Sequence, residues 1–143
     1  MEREQPPQNF DVLAVDAFSG DAIPVHLLTR EAFALYLHHL KPDGVLAIHT
    51  SNTYLNLEPV VKLLADDAGY SANWVSNDDD RRKLIDASDW VLITRNKRFV
   101  EELETSAFVE TIVVPPKLRL WTDDYNNLSQ ILRPISFDKD EGK

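Results

Sequence analysis

Two short, almost uninterrupted apolar runs constrain the fold of this 143-residue chain more than any other feature. The first covers Phe10–Asp16, the second covers Val45–Ser51, and a segment with helical periodicity separates them. Strands that are buried on both faces have this composition, and they are typical of parallel sheets. A strand, a helix and a second strand in this order predict a right-handed parallel crossover, and therefore an α/β fold.

The segment between the two runs has clear helix signals. Thr29 is a good N-cap residue, and the acidic Glu31 lies near the positive end of the helix that would follow. The segment Lys41–Gly44 contains a proline and a glycine, so it is predicted to end this helix before the second strand. The apolar positions repeat at helical spacing and give the helix one apolar face: Phe33, Tyr36, Leu37 and Leu40.

The rest of the chain continues the alternation of helices and strands. We predict a helix over Leu57–Ala68, strands over Ser71–Val75 and Asp89–Thr94, a short helix over Lys97–Leu103, an extended segment over Thr111–Val114 and a helical stretch near Tyr125–Leu132. The charged segment between residues 78 and 83 is predicted to be a solvated turn. Three parts are expected: a flexible segment 1–9, one domain 10–135 and a flexible charged tail 136–143.

Composition narrows the classes of function. The net charge of −9 disfavours nucleic acid as a partner, because phosphate binding needs clustered Lys and Arg. The same charge suits a cationic substrate such as a polyamine. The chain has no cysteine, so disulfides, thiolate chemistry and Cys-based zinc sites are excluded. No apolar run approaches the length of a membrane span, and a cytoplasmic location is expected.

Two motifs resemble a known family. The segment FDVLAVDAFSGDAIPVHLLTREAFALYLHHLKPDGVLAIHTSN is similar to the second half of the spermidine synthase (polyamine aminopropyltransferase) domain, which belongs to the class I methyltransferase-like superfamily. The later segment LWTDDYNNL also resembles that family. The resemblance extends over residues 10–132, and its first motif is the more specific of the two.

The resemblance implies a Rossmann-like, S-adenosylmethionine-dependent methyltransferase-type three-layer sandwich with a mostly parallel sheet and a late antiparallel strand. This sequence would supply the fourth strand onward, a partial domain without the Gly-rich loop that approaches the nucleoside. The family transfers an aminopropyl group from decarboxylated S-adenosylmethionine to a diamine. The nucleoside is a co-substrate in that family, and no tightly bound cofactor is expected.

The same resemblance suggests roles for the residues that follow the first strand. Asp16 would be the catalytic carboxylate that helps to deprotonate the attacking amine, and its structural alternative is a cap of the next turn. Asp21 would bind the cationic substrate, or would hydrogen-bond to its own backbone. Ala17 and Phe18 would lie on the nucleoside side of the site.

Three residues near the C-terminus are further candidates for substrate binding. Asp123 and Asp124 would form an acidic wall beside Tyr125, although the simpler interpretation makes one of them the N-cap of the helical stretch that follows. Asn52 and Tyr54, after the second strand, are plausible contacts at the ligand edge of the sheet. The four histidines show no metal-like spacing, and no Ser-His-Asp pattern is evident.

Three functions remain open at this stage. The chain is part of an aminopropyltransferase-like enzyme, a non-catalytic half-domain that binds another chain, or a fragment of an S-adenosylmethionine-dependent methyltransferase. The strand Phe10–Asp16 would be an open apolar edge, and proteins usually cover such edges. We therefore expect a homodimer that pairs two copies of this edge.

Overall fold

A computed structural model describes residues 6–16, 24–80, 82–106 and 108–134 of the chain. This part confirms the α/β class, with one five-stranded sheet and three α-helices. The elements, in chain order, are β1 (Phe10–Val15), α1 (Arg30–His38), β2 (Leu40–His49), α2 (Glu58–Asp67), β3 (Ser71–Asn77), β4 (Ser88–Thr94), α3 (Lys97–Glu104) and β5 (Val109–Glu110). Two 3₁₀ turns complete the set, at Val25–Leu27 and Leu128–Ile131.

The sheet is mixed, with the strand order β1-β2-β4-β3-β5. Strands β1 and β2 are parallel, as the crossover predicts, whereas the other three pairings are antiparallel. The expectation of a mostly parallel sheet therefore does not describe these pairings. The reason is the position of β4, which lies between β2 and β3 and runs opposite to both.

Local sequence signals explain where α1 begins and where α2 ends. Thr29 caps α1 as predicted, because its hydroxyl oxygen accepts a hydrogen bond from the Ala32 amide at 3.3 Å. Helix α2 ends at Asp67, and Gly69, just beyond the C-cap residue Ala68, adopts a φ of +74° that favours glycine. The guanidinium of Arg95 donates to the carbonyl of Ala68 at 2.8 Å and so satisfies one of the free carbonyls at that end.

Strand β2 begins earlier than the sequence indicates. Helix α1 ends at His38, and Leu40 already pairs with Phe10. The next pair joins Val12 to Val45, so the segment Lys41–Gly44 forms an irregularity within the strand and not a separate loop. A side chain at Gly44 would lie 2.9 Å from the Phe10 carbonyl oxygen, so the close approach of β1 requires glycine there.

The closed core lies on one face of the sheet. Cross-strand pairing places two rows of side chains on this face, and the buried residues of α1 and α2 pack against them. Trp121, which is fully buried, joins the C-terminal segment to the same core. The rows are Leu13, Leu46, Ile93 and Ala72, and Val15, Ile48, Val91 and Trp74.

Strand β1 is less buried than its composition suggests. Burial on both faces was the expectation, but Val12 is 61% exposed and Ala14 is also exposed. The physical reason is that Val12 and Ala14 lie on the face of this edge strand opposite to Leu13 and Val15, which pack against the core.

The C-terminal segment differs from its prediction in two places. Residues 111–114 form no strand, and the regular pairing in this region is limited to β5. The helical stretch near Tyr125–Leu132 is reduced to the 3₁₀ turn Leu128–Ile131, which Asn127 caps by accepting from the Ser129 amide at 3.1 Å. The tail 136–143 and residues 1–5 lie outside the described residues.

Candidate functional site

Asp16 lies where β1 ends, beside the end of β2. The parallel register pairs Val15 with Ile48, so the next residues along the two strands, Asp16 and His49, are neighbours. His49 Nδ1 lies 2.9 Å from Asp16 Oδ1. The Asp16 side chain is 57% exposed, whereas that of His49 is 22% exposed. The predicted carboxylate is therefore accessible to a ligand and has a defined partner.

The hydrogen bonds around His49 define its tautomer. The second ring nitrogen, Nε2, lies 3.0 Å from Ser51 Oγ, and that oxygen accepts a hydrogen bond from the Asp89 amide at 2.7 Å. An ionised Asp16 requires a proton on Nδ1, because two acceptors would otherwise face each other. In the neutral imidazole, Nε2 is then the acceptor and the Ser51 hydroxyl donates to it.

Asp16, His49 and Ser51 form a chain of hydrogen-bond contacts that sequence analysis did not identify. Sequence reasoning missed it because Asp16 follows β1, whereas His49 ends β2 and Ser51 follows it. Aligning the ends of the two apolar runs would have found it, since this alignment places Asp16 next to His49. The Asp89 amide donates a hydrogen bond to the Ser51 oxygen and so holds it in place. We therefore interpret Ser51 as a residue that orients the His49 ring.

Strand β4 fixes the end of β2 from the other side. The Thr50 amide donates to the Asp89 carbonyl at 2.8 Å, and the indole N–H of Trp74 donates to the Asp89 carboxylate at 3.1 Å. The Trp90 ring lies 4.8 Å from that of His49, centroid to centroid. The imidazole is consequently restrained by two hydrogen bonds and one ring contact.

A second carboxylate near this end of the sheet has the opposite environment. Glu58, at the start of α2, is 1% exposed, and no described residue donates a hydrogen bond of good geometry to either of its oxygens. Burial raises the pKa of the Glu58 carboxyl, while its own backbone amide, the nearby Thr50 hydroxyl and Arg133 oppose this effect. Arg133 Nη2 lies 3.9 Å from Glu58 Oε1. Sequence reasoning did not select this residue.

Asn52 and Tyr54 have different positions in the turn after β2. The side-chain oxygen of Asn52 accepts from the amides of Tyr54 and Leu55 at 2.9 and 2.8 Å, so Asn52 shapes the turn. The Tyr54 side chain is exposed. Of these two candidates, Tyr54 is the one whose ring is available to a ligand.

The acidic pair near the C-terminus lies at the start of α1. Asp123 Oδ1 accepts a hydrogen bond from the Thr29 hydroxyl at 2.7 Å, and the Asp123 amide donates to Glu31 at 3.0 Å. The N-cap interpretation of this pair is wrong, because no helix begins there. Asp123 instead joins the C-terminal segment to the cap of α1, while Asp124 is exposed.

The remaining candidates are Tyr125 and three residues that follow Asp16 in the sequence. Tyr125 is half-buried, and the Arg119 guanidinium lies 4.3 Å from its ring centroid. Ala17, Phe18 and Asp21 lie outside the described residues. The structure thus brings Asp16 together with His49 and Ser51, and it gives Asp123 and Tyr125 separate partners.

Fold and site define an α/β protein with a polar cluster at the carboxyl end of a parallel strand pair. In the described ranges, no group of three or more His, Asp or Glu side chains could hold a metal ion. No helix of those ranges is long and apolar enough to cross a membrane. In comparisons with known proteins, no family model, no curated protein and no solved structure matches the chain.

Proposed function

We propose that this chain is a spermidine synthase-like half-domain whose Asp16 cluster takes the acceptor amine of an aminopropyl transfer. The observation that supports this most is the accessible Asp16 carboxylate, hydrogen-bonded to His49 at the carboxyl end of two parallel strands. Ligands of open α/β sheets bind at this end. The net charge of −9 favours a cationic ligand over an anionic one.

Strand directions are consistent with a partial Rossmann-like fold of the methyltransferase type. Strands β1, β2 and β3 run in one direction, and β4, which follows them in sequence, runs in the other. This pattern agrees with a sheet that begins at the fourth family strand and ends in a late antiparallel strand. In a three-layer sandwich, the exposed face of β1 would be covered by the helices of the other half-domain.

The chemistry requires a base near the amine. A primary ammonium group has no free electron pair, so it must lose a proton before it can attack. Asp16 accepts that proton, the amine nitrogen bonds to the aminopropyl carbon, and the carbon–sulfur bond breaks. The bonding electrons remain on sulfur, which leaves as the neutral thioether methylthioadenosine. The co-reactant is a decarboxylated S-adenosylmethionine sulfonium.

Titration with putrescine by calorimetry tests the amine site. The native chain should give a saturable isotherm, and Asp16→Asn should weaken binding by about 10- to 100-fold because a charge-assisted hydrogen bond is lost. Glu102→Gln is the matched control, since it removes one negative charge from an exposed ion pair on α3. If Asp16→Asn binds putrescine as tightly as Glu102→Gln, the proposal fails, because the two variants have the same net charge and the Asp16 carboxylate then makes no specific contribution.

A second candidate function, a dimerising half-domain, is favoured by the open edge of the sheet. Val12 is 61% exposed on β1, and edge strands with apolar side chains are usually covered. A two-fold axis beside β1 would pair two copies and join their sheets. Light scattering at micromolar concentration should give a dimer, and Val12→Lys should give a monomer. A native monomer would reject this candidate.

Methylthioadenosine binding tests whether a nucleoside site is completed across the dimer. If a nucleoside site is completed across the dimer, calorimetry should give a saturable isotherm with the native chain and none with the Val12→Lys monomer. Saturable binding by both proteins would instead place the nucleoside site within one chain.

A further inference from the structure

We infer that His49 is a positioning residue, which fixes the Asp16 carboxylate so that its Oδ2 atom faces the amine. This inference rests on the proposed function and extends it to a residue that does not contact the substrate. The distances that carry it are 2.9 Å from His49 Nδ1 to Asp16 Oδ1 and 3.0 Å from His49 Nε2 to Ser51 Oγ.

Asp16 needs such a partner because its own surroundings restrain it weakly. Its side chain is more than half exposed, and it follows the last residue of an edge strand. Within residues 6–16, 24–80, 82–106 and 108–134, His49 is the group that lies within hydrogen-bond distance of its carboxylate. A proton on Nδ1 occupies Oδ1, and this leaves Oδ2 to accept the proton of an amine.

His49 can fix Asp16 because its own ring is restrained by β4. Ser51 Oγ is held by the Asp89 amide at 2.7 Å, and the Trp90 ring lies at 31° to the imidazole plane. Asp89 in turn accepts from the Trp74 indole. The orientation of an exposed carboxylate at the sheet edge is therefore transmitted from buried strands by hydrogen bonds.

Three substitutions separate hydrogen bonding from packing. His49→Asn places an amide nitrogen near the Nδ1 position, so it can still donate to Asp16. His49→Gln reaches the Nε2 position and keeps the contact with Ser51 only. His49→Phe keeps a ring beside Trp90 and removes both hydrogen bonds. His38→Phe, at the last residue of α1, is the control for the same exchange away from Asp16.

Putrescine affinity is the first measurement. His49→Phe and His49→Gln should bind about 2- to 10-fold more weakly than the native chain, the range expected when one side chain must be ordered on binding. His49→Asn and His38→Phe should bind like the native chain. If Asp16→Asn weakens binding but His49→Phe does not, the amine site stands and the positioning role is overturned. If Asp16→Asn has no effect, the proposed function fails and the inference fails with it.

The second measurement is independent of any amine. Long-range ¹H–¹⁵N spectra of the imidazole should show the Nδ1–H tautomer in the native chain, because Asp16 selects it. Asp16→Leu should abolish this preference. An Nε2–H tautomer in the native chain would overturn the hydrogen-bond arrangement, whatever the affinities are.

Discussion

Strands β4 and β1 both pair with β2, yet their side chains are buried to very different degrees. On β4, Val91 and Ile93 are fully buried beneath the helices, whereas on β1 Val12 is 61% exposed. The same contrast separates the two carboxylates at this end of the molecule, since Glu58 is 1% exposed, whereas Asp16 is more than half exposed and lies 2.9 Å from His49 Nδ1. Packing fixes the centre of the sheet, and hydrogen bonds fix the edge, where the candidate site lies.

The largest effect should come from the centre of the sheet. Ile93→Ala should lower the free energy of unfolding by about 2–5 kcal/mol, because it leaves a cavity in a closed core. Val12→Ala, the corresponding truncation on the exposed edge, should change it by no more than about 0.5 kcal/mol. Urea unfolding of the two variants measures both values. Similar losses would mean that β1 is covered in solution.

A smaller effect is expected where the edge meets the centre. Gly44→Ala should destabilise the chain by about 1–3 kcal/mol, because the added carbon lies 2.9 Å from the Phe10 carbonyl oxygen. Amide hydrogen exchange should become faster in β1. Gly69→Ala, which strains a backbone at φ +74° far from Phe10, is the control that destabilises the chain but leaves β1 exchange unchanged. Faster β1 exchange in both variants would contradict the assignment.

The smallest effect concerns the pH dependence of stability. Burial raises the pKa of Glu58 above its unfolded value, so the native state binds more protons between the two values. The Glu58 contribution to stability is therefore greatest below the unfolded pKa and is lost as the pH rises through the folded pKa. Glu58→Gln should remove this decline, and Glu102→Gln should not. Thermal melting over a pH series measures it, and an unchanged decline in Glu58→Gln would refute the role of burial.

Much of the secondary structure could be predicted because its signals are local. Each of these signals acts over only a few residues of sequence: the cap at Thr29, the glycine after α2 at Gly69 and the apolar run of β1. Pairing partners are not local, and this is why the position of β4 within the sheet was not predicted. Nothing in the run Asp89–Thr94 indicates that it inserts between β2 and β3 in the opposite direction.

The candidate site was predictable in the same partial way. Asp16 could be selected because the sequence of one strand is enough to show a carboxylate at the end of an apolar run. His49 and Ser51 needed the parallel register as well, and Glu58 needed the packing of α2, which no short pattern encodes. The role of Asp123 at the α1 cap depends on a contact between residues 94 positions apart.

The irregular segment Lys41–Gly44 has a consequence for how the chain tolerates changes in length. Between the pairs Phe10–Leu40 and Val12–Val45, β2 advances by more residues than β1, so this segment absorbs the excess before regular pairing resumes. Insertions or deletions there would leave the register that places Asp16 beside His49 unchanged. A single residue added between Val45 and His49 would turn the imidazole to the opposite side of the sheet.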